Sequence, residues 1–268
     1  MSFLLKIAAF LVCAYLLAVL LAYLLQTKLL FYPAKLHSDF KFRADRSHEE
    51  VFLVTPDSEK INGLFFPASN DKVILYFHGN AGSLEEWQFV YRDFDSLGFN
   101  FFIIDYRGYG KSTGNISEAG FYKDAQAAYD FLLARGFTAD NIVVYGRSIG
   151  SGVAVHLATH QQIAALILES PYISVEKLAI EKYRYLFPSL YLRYRFDNLS
   201  KIKAVKAPLL VIHGQRDGLI PFPHGQTLYN TFDGKKQLIA VKDGHHNDLS
   251  ESPQFLPGIL SFLRTNVA

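Results

Sequence analysis

The sequence predicts an α/β protein with a mostly parallel central sheet and helices on both of its faces. From residue 72 to residue 264, short and continuously apolar segments alternate with amphipathic segments of helical period. Strands that are apolar on both faces are typical of parallel sheets covered by helices. The chain has 268 residues, of which 50% are apolar, so it can bury one full core. We therefore expect a separate N-terminal segment over residues 1–28 and one large domain over residues 29–268.

The predicted elements alternate regularly after an initial hairpin. The hairpin is expected from two strand-like segments, 50–55 and 61–66, around the turn residues Pro56, Asp57 and Ser58. Further strands are predicted over residues 72–78, 101–105, 142–145, 165–169, 209–213 and 237–241. Helices are predicted over residues 84–96, 118–134, 149–159, 223–231 and 254–264. Parallel strands joined by helices need such an alternation, because each crossover must return to the same edge of the sheet.

One stretch, residues 171–207, departs from this alternation. It is rich in aromatic and basic side chains, namely Tyr172, Tyr183, Tyr185, Phe187, Tyr191, Tyr194, Phe196, Lys177, Lys182, Arg184, Arg193 and Arg195. Because it leaves the predicted sheet at a strand end, we expect it to form a small helical cap over that end. The rings either pack the cap onto the domain or line an apolar channel whose basic rim meets lipid headgroups or an acidic substrate.

The N-terminal segment reads as a transmembrane helix. Residues 7–25 are 19 consecutive residues without a charge, and a helix of that length spans about 30 Å, the thickness of the hydrocarbon core. A cleaved signal peptide is the alternative, but its apolar run would be shorter, and no small-x-small cleavage site follows Leu25. Lys6 lies on one side of the predicted span, and four cations from Lys28 to Arg43 lie on the other. This distribution does not decide which side of the membrane the domain occupies. The apolar residues 29–33 are expected at the membrane interface or over an edge of the domain.

Composition argues against two classes of partner. The formal net charge is +2, and the basic residues are scattered without interleaved aromatic side chains, so nothing favours binding to nucleic acid. The single cysteine, Cys13, lies in the apolar N-terminal run. Neither an internal disulfide nor a thiolate metal cluster is therefore available.

The strongest local motif is Gly146-Arg147-Ser148-Ile149-Gly150, between an apolar strand and a run of small residues that favours a helix. A serine between two glycines at a strand-to-helix junction is typical of a nucleophile elbow. The turn is so tight that side chains two positions away on either side would collide, which requires glycine there. The following helix directs its N-terminal amides toward the site of a developing oxyanion, and the amide of Ile149 is the natural first donor.

Candidate partners for this serine follow other predicted strands, where function collects in a parallel sheet. Asp217 follows the strand that ends at residue 213, and two adjacent histidines, His245 and His246, follow the last strand. A serine needs an imidazole to remove its proton, and the imidazole needs a carboxylate that fixes its tautomer. The order Ser, Asp, His along the chain fits such a triad, with the base open between the two histidines.

Glycine-flanked backbone after residue 78 is expected to supply a second oxyanion amide, from Asn80 or Ala81. The histidines at positions 78 and 213 are expected to hold loops by hydrogen bonds, and Asp105 with Arg107 to clamp a loop.

Two segments resemble ligand-binding motifs but lack residues that those motifs require. Gly108-Tyr109-Gly110-Lys111-Ser112 lacks the glycine five residues before Gly110 that a phosphate-binding loop requires. His245, His246 and Asp248 could suggest a metal site, but neighbouring loop residues point apart and no partner lies elsewhere. We therefore expect neither a metal nor a cofactor.

Six segments together resemble the α/β-hydrolase superfamily, in the Bem46-like branch that includes serine hydrolases of the ABHD12, ABHD13 and ABHD17 type. The segments are HGNAGS, DYRGYGKSTG, YGRSIGSG, ESPY, HGQRDGLIP and GHHND, and they extend from about residue 50 to the C-terminus. The resemblance implies an α/β-hydrolase fold and cofactor-free hydrolysis of esters or thioesters through Ser148, Asp217 and a histidine. It places the base directly before Asn-Asp, which is His246. Members of the branch include lysophospholipid hydrolases and protein depalmitoylases.

The sequence is thus interpreted as a membrane-anchored serine hydrolase that acts on acyl esters or thioesters, of a lipid or of an acylated protein. Two alternatives stay open at this stage. One is a serine peptidase with the same triad, and the other is a membrane-bound scaffold that keeps the fold without activity.

Overall fold

The computed structural model describes residues 2–267. The strands are β1 (Tyr32–Pro33), β2 (Glu49–Val54), β3 (Lys60–Phe66), β4 (Val73–Phe77), β5 (Ala81–Gly82), β6 (Asn100–Ile104), β7 (Ile142–Arg147), β8 (Ala165–Glu169), β9 (Leu209–Gly214) and β10 (Lys236–Val241). The α-helices are α1 (Phe3–Leu30), α2 (Leu84–Trp87), α3 (Glu118–Ala134), α4 (Gly150–His160), α5 (Val175–Tyr183), α6 (Asn198–Lys201), α7 (Pro223–Thr231) and α8 (Phe255–Asn266).

Eight of the described strands form one sheet in the order β10-β9-β8-β7-β4-β6-β3-β2. The strands from β10 to β6 run parallel, whereas β3 is antiparallel to both β6 and β2. The predicted hairpin is therefore confirmed as the antiparallel edge of the sheet. The α/β fold class, with a mostly parallel sheet between helices, is confirmed as well.

Alternating side chains of the central strands divide the core into two layers. Val73 and Leu75 of β4 join a cluster with side chains of α3, α4 and α7. Ile74 and Tyr76 point to the opposite face and join a cluster with side chains of α8. Successive side chains of a strand point to opposite faces, so a strand that is apolar at every position needs helices on both sides.

One predicted helix is wrong in form. Residues 84–96 were expected to be one helix, but α2 ends at Trp87 and a 3₁₀ segment, Val90–Leu97, follows. Tyr91, Phe94 and Leu97 recur every three residues and pack into the core, a spacing that matches three residues per turn. Burial of these side chains outweighs the α-helical preference of the segment.

The cap, residues 171–207, contains α5, α6 and three short 3₁₀ turns, Arg184–Leu186, Pro188–Leu190 and Ile202–Ala204. It lies next to α1, the long N-terminal helix. This helix is long and apolar enough to cross a membrane, and the most apolar window of the helix is entirely unburied.

The segment after α1 packs on the domain beside the loop that follows β4 and thus covers an edge of the domain, one of the two places expected for residues 29–33. Phe31 is buried against Phe121 and Tyr194. Strand β1 pairs with β5 in a two-residue parallel ladder that sequence periodicity did not reveal. The end of α1 is thereby attached to the glycine-rich segment that follows β4.

Candidate active site

Ser148 stands on a sharp turn between β7 and α4. Its backbone has a left-handed φ of 53°, which strains a non-glycine residue. A Cβ atom at Gly150 would lie 2.1 Å from the carbonyl oxygen of Phe77, and one at Gly146 would lie 2.6 Å from the carbonyl oxygen of Gly150. Neither position has room for a side chain. The two glycines therefore allow the close approach on which the turn depends.

The structure brings Ser148, His246 and Asp217 into one hydrogen-bonded row. The distance from His246 Nε2 to Ser148 Oγ is 3.0 Å, and the distance from His246 Nδ1 to Asp217 Oδ2 is 2.7 Å. The side chain of His246 is 11% exposed and that of Asp217 is fully buried. An imidazole in this position can accept the serine proton at Nε2 while its Nδ1–H donates to the carboxylate.

Asp217 is held as a carboxylate by its surroundings. Its Oδ1 accepts the backbone N–H groups of Leu219 and Ile220, each at 2.8 Å. His213 Nε2 lies 3.4 Å from Oδ2 and makes its shorter hydrogen bond, 2.9 Å, to the carbonyl of Ile220. Burial alone would raise the pKa of Asp217, but the neighbouring histidines and the Ile220 amide hold it well below its ordinary value. A charged carboxylate here can stabilise a protonated His246.

The neighbouring His245 points elsewhere. Its ring is 60% exposed, and its Nδ1 lies 3.0 Å from Asp248 Oδ2. The backbone N–H of His245 donates to Asp248 Oδ1 at 2.6 Å. This backbone bond, and then the side-chain bond, lower the pKa of Asp248. Of the two histidines that the sequence offers, only His246 contacts Ser148.

Two backbone amides next to Ser148 have their N–H groups unused. Within residues 2–267, neither the N–H of Ile149 nor that of Asn80 donates to a protein acceptor, and both residues line the cavity above Ser148. Ala81 belongs instead to β5, where it pairs with Tyr32. The arrangement favours Asn80 over Ala81 as the second donor to an oxyanion.

Asn80 is held from two sides, through its side chain and through its backbone carbonyl. Its Nδ2 donates to the carbonyl of Leu30, at the end of α1. The hydroxyl of Tyr109 donates to the carbonyl of Asn80 at 2.8 Å. The loop that carries this amide is thus attached both to the N-terminal helix and to the loop after β6.

A cavity of about 480 Å³ opens above Ser148, within the range of small-ligand sites. Its walls come from α1, from the loops after the strands and from the cap, and are mostly apolar; among them are Ala22, Leu29, Leu178, Leu186, Leu192 and Ile220. Among the described lining residues there is no Asp or Glu, and Lys182 is the one cation. Within residues 2–267, no group of three or more His, Cys, Asp or Glu side chains is placed to hold a metal ion.

The aromatic residues of the cap divide between the two roles that the sequence allowed. Tyr194 and Phe196 are buried in the core, as packing alone requires. Tyr172 is buried in the same core cluster and also lines the cavity, whereas Tyr183 and Tyr191 only line the cavity. Tyr185 and Phe187 do neither, since both are exposed at the outer end of the cap.

The remaining polar residues that the sequence singled out serve the loops. Arg107 is buried and donates through Nε and Nη2 to Asp124 Oδ1 at 2.9 and 2.8 Å, and it also bonds Asp57. This is the expected loop clamp. Asp105 instead accepts the backbone N–H of Leu84 at 3.0 Å, with the buried ring of His78 beside it. Burial raises the pKa of Asp105, against the effect of His78.

Sequence reasoning missed the role of Arg147, the residue before the serine. Its Nε lies 3.2 Å from Glu169 Oε1, and its Nη2 donates to Asn247 Oδ1 at 3.2 Å. Its guanidinium lies over the ring of Trp87, 5.3 Å from the centroid. Arg147 therefore links the elbow to the loop that carries His246. Its position within the G-x-S-x-G motif was the available signal.

Comparison with known proteins identifies the family of the chain. A family model described as serine aminopeptidase, S33, matches residues 68–203. The chain is similar to alpha/beta hydrolase domain-containing protein 17C of Mus musculus, with 36% identity over 222 residues that cover 80% of this chain and 67% of that protein. The corresponding protein of Xenopus tropicalis is 36% identical over 71% of this chain and 61% of its own length. This chain thus spans about two thirds of the length of these relatives.

Solved structures share the fold at lower identity. An esterase of Pyrococcus furiosus superposes with a TM-score of 0.72 at 20% identity, over 89% of this chain and 98% of the esterase. An acylaminoacyl peptidase of Pyrococcus horikoshii gives a TM-score of 0.63 at 19% identity, over 85% of this chain and 42% of that protein. At identities of 19–20%, the structural similarity supports the fold but not a shared function.

Proposed function

The chain belongs to the α/β-hydrolase superfamily and, within it, to the ABHD17-like family, and on this basis we propose that it is a membrane-anchored serine hydrolase of acyl esters or thioesters. The single observation that supports the proposal most is the contact of one imidazole, His246, with both Ser148 Oγ at 3.0 Å and Asp217 Oδ2 at 2.7 Å. A hydroxyl, an imidazole and a carboxylate in this order are the parts that acyl transfer needs.

The proposed reaction has two halves. Ser148 Oγ attacks the acyl carbonyl carbon while His246 Nε2 accepts its proton, and Asp217 stabilises the imidazolium. The carbonyl oxygen becomes an oxyanion that accepts hydrogen bonds from the amides of Ile149 and Asn80. His246 then gives its proton to the leaving alcohol or thiol as the C–O or C–S bond breaks. A water that His246 deprotonates then attacks the acyl carbon, and His246 returns that proton to Ser148 Oγ as the acyl C–O bond breaks and the carboxylic acid leaves.

The lining of the cavity favours an acyl substrate over a peptide. An aminopeptidase must hold the cationic N-terminus of its substrate, and a buried charge needs a partner of opposite charge. Among the described residues that line the cavity there is no carboxylate to play that part. The apolar walls instead suit a hydrocarbon chain, whose burial is favourable. The acyl group of a lipid or of an acylated protein fits this description.

Membrane anchoring is proposed for α1. Helix α1 has 28 residues and contains no acidic residue. Its two lysines, Lys6 and Lys28, lie near opposite ends. An exposed helix of this composition would be insoluble in water, whereas a bilayer satisfies its apolar surface.

The first test is a substitution of the proposed nucleophile in the full chain in detergent micelles. Ser148→Ala removes one hydroxyl and is expected to abolish fluorophosphonate labelling and to lower ester hydrolysis by about 10⁴-fold or more. Ser151→Ala, three residues further along in the first turn of α4, is the matched control and should keep its labelling. Undiminished turnover of a p-nitrophenyl ester by Ser148→Ala would contradict the proposal.

The second part of this test varies the acyl chain from two to sixteen carbons, below the micellar concentration of each ester. Each methylene that enters the cavity should raise kcat/KM up to about fourfold, equivalent to ~0.8 kcal/mol, until the cavity is filled. The full chain is required, because α1 forms part of the cavity wall. A steady fall beyond acetate or butyrate would reject an acyl-chain substrate and favour a small or peptide-like one.

A further inference from the structure

The cap lies alongside α1 as far as the middle of the helix. The hydroxyl of Tyr15 donates to the backbone carbonyl of Tyr185 at 2.8 Å. The ring of Tyr23 meets that of Tyr191 edge-on, with centroids 6.4 Å apart. The guanidinium of Arg193 lies over the ring of Tyr23, 5.4 Å from its centroid. The cap and the helix therefore occupy the same depth along the helix axis.

The length of α1 gives the depth at which the cap would lie in a bilayer. Tyr15 precedes residue 25, the end of the apolar run, by ten residues, which is about 15 Å of helix. If residues 7–25 cross a hydrocarbon core of about 30 Å, Tyr15 lies near the middle of that core. A helix tilt of about 20° shortens the depth by only about 6%. The group that contacts Tyr15 must then share the leaflet.

A cap that stays in water would leave too little of α1 to span a bilayer. If the cap stayed in water, the part of α1 beyond its contact with the cap would be residues 3–14, or about 18 Å of helix. A bilayer core of about 30 Å needs about 20 residues. The helix can therefore span the bilayer only if the outer end of the cap enters it as well.

The outer end of the cap, residues 183–190, has the surface that such a position requires. We call this segment the cap tip. The side chains of Tyr185, Phe187 and Leu190 are 71%, 59% and 82% exposed. The one charge in the segment is Arg184, whose Nη2 donates to the hydroxyl of Tyr185 at 2.6 Å. Aromatic side chains collect at membrane interfaces, where a long basic side chain can reach the headgroups.

The backbone of the cap tip also suits a lipid environment. Unpaired N–H groups are costly in hydrocarbon. Here the N–H of Phe187 donates to Arg184, that of Leu190 to Phe187 and that of Tyr191 to Pro188, within 3.2 Å in each case. Phe187 keeps a left-handed φ of 49°, a strained state for a bulky residue, while its ring is exposed.

From these observations we propose that the cap tip lies inside the same lipid leaflet as α1, and that the cavity above Ser148 opens to the hydrocarbon of that leaflet. The cavity lies between α1 and the cap, with Ala22 and Leu29 on one wall and Leu178 and Leu186 on the other. An acyl chain dissolved in the bilayer would enter between these walls without crossing water. The inference rests on the proposed membrane anchoring and adds a second lipid-contacting surface to it.

A depth probe tests the position of the cap tip. The only cysteine, Cys13, is exposed on α1, so Cys13→Ala provides a background for single labels. Cysteines at positions 190, 20 and 54, from Leu190→Cys, Leu20→Cys and Val54→Cys, are labelled with an NBD fluorophore in detergent. The proteins are then reconstituted in phosphatidylcholine vesicles that contain doxyl-labelled lipid. Position 20 reports on α1, and position 54 is an exposed site on the edge strand β2.

The expected result is strong quenching at positions 190 and 20, within about twofold of each other, and little quenching at position 54. Quenching at position 20 alone, with position 190 like position 54, would overturn the proposal and leave the anchor intact. Absence of quenching at position 20 would instead refute membrane anchoring itself, and this inference with it. Fluorophosphonate labelling of each variant reports separately on the hydrolase.

A kinetic experiment tests the function of the surface in the full chain. Phe187→Asp and Leu190→Asp place a charge on the cap tip outside the cavity, and Phe52→Asp on β2 is the matched control. We expect each cap-tip variant to lower kcat/KM at least tenfold for a sixteen-carbon acyl ester dissolved in vesicles. The rate with soluble p-nitrophenyl acetate should change less than twofold. Equal losses with both substrates, or no loss with either, would overturn the proposal.

Discussion

The two adjacent histidines offer the sharpest test of the proposed catalytic mechanism, because His246→Ala and His245→Ala remove the same side chain from neighbouring positions. His246 contacts both the hydroxyl of Ser148 and the carboxylate of Asp217. Its loss leaves Ser148 without a proton acceptor and leaves Asp217 Oδ2 without the imidazole that it contacts. Removal of a triad histidine lowers turnover by about 10⁴- to 10⁶-fold in serine hydrolases, equivalent to ~5.5 to 8 kcal/mol of transition-state stabilisation.

The expected effect of His245→Ala is far smaller. The ring of His245 is mostly exposed and contacts Asp248, and exposed ion pairs contribute only about 0 to 1 kcal/mol. The 2.6 Å bond from the His245 backbone N–H to Asp248 survives the substitution, so the loop keeps its main hydrogen bond. A loss of kcat/KM of no more than about fivefold corresponds to that energy.

The assay is kcat/KM for p-nitrophenyl butyrate, measured with the full chain in detergent, together with the rate of fluorophosphonate labelling. Added imidazole provides a further check, because it can enter the space left by His246→Ala and restore part of the rate. Equal losses from the two substitutions would refute the assignment of His246 as the base. So would more than 1% residual activity in His246→Ala without added imidazole.

Two further predictions concern charged groups in the domain. Arg107→Met leaves Asp124 buried without its partner, which should lower the free energy of unfolding by about 3 to 5 kcal/mol; thermal unfolding in detergent measures this, and Asp124→Leu in addition should recover part of the loss. Asp217 has a lowered pKa in the folded state, so its contribution to stability is complete above about pH 4, the ordinary value of an unfolded Asp, and is lost as the pH falls below it. The difference in melting temperature between the wild type and Asp217→Asn should therefore shrink between pH 5 and pH 3, and a difference that grows toward acid pH would contradict this sign.

The sequence predicts most of the fold because many strands and helices have a hydrophobic pattern that is complete within the segment itself. Strand β8, helix α3 and helix α7 have the predicted bounds, since an apolar run or a helical period is complete within each segment. The break between α2 and the following 3₁₀ segment carries no such signal. It depends on where Tyr91 and Phe94 find room in the core, and that space is formed by residues far away in the chain.

Motifs in the sequence identify the chemical groups of the candidate site, but they do not identify the long-range contacts that hold these groups in place. Ser148 and Asp217 stand in recognisable local patterns at strand ends. The choice between His245 and His246 depends on how their loop bends, and sequence reasoning alone could not make it without the family resemblance. The hydrogen bond from the backbone of Arg193 to Gln26 joins residues 167 positions apart, and no local period indicates such a contact.

The attachment of α1 to the candidate site gives the proposed membrane anchor a second, structural role. The carbonyl of Leu30 accepts the side-chain N–H of Asn80, and β1, directly after the helix, pairs with β5, directly after Asn80. An oxyanion donor must lie within about 3 Å of the developing charge, so a small displacement of this loop would weaken it. If Asn80 supplies that donor and α1 anchors the chain as proposed, the position of α1 in the bilayer helps to set the geometry of the reaction. The catalytic unit is then the full chain in its membrane, because a domain without α1 loses both a wall of the cavity and a support of the amide.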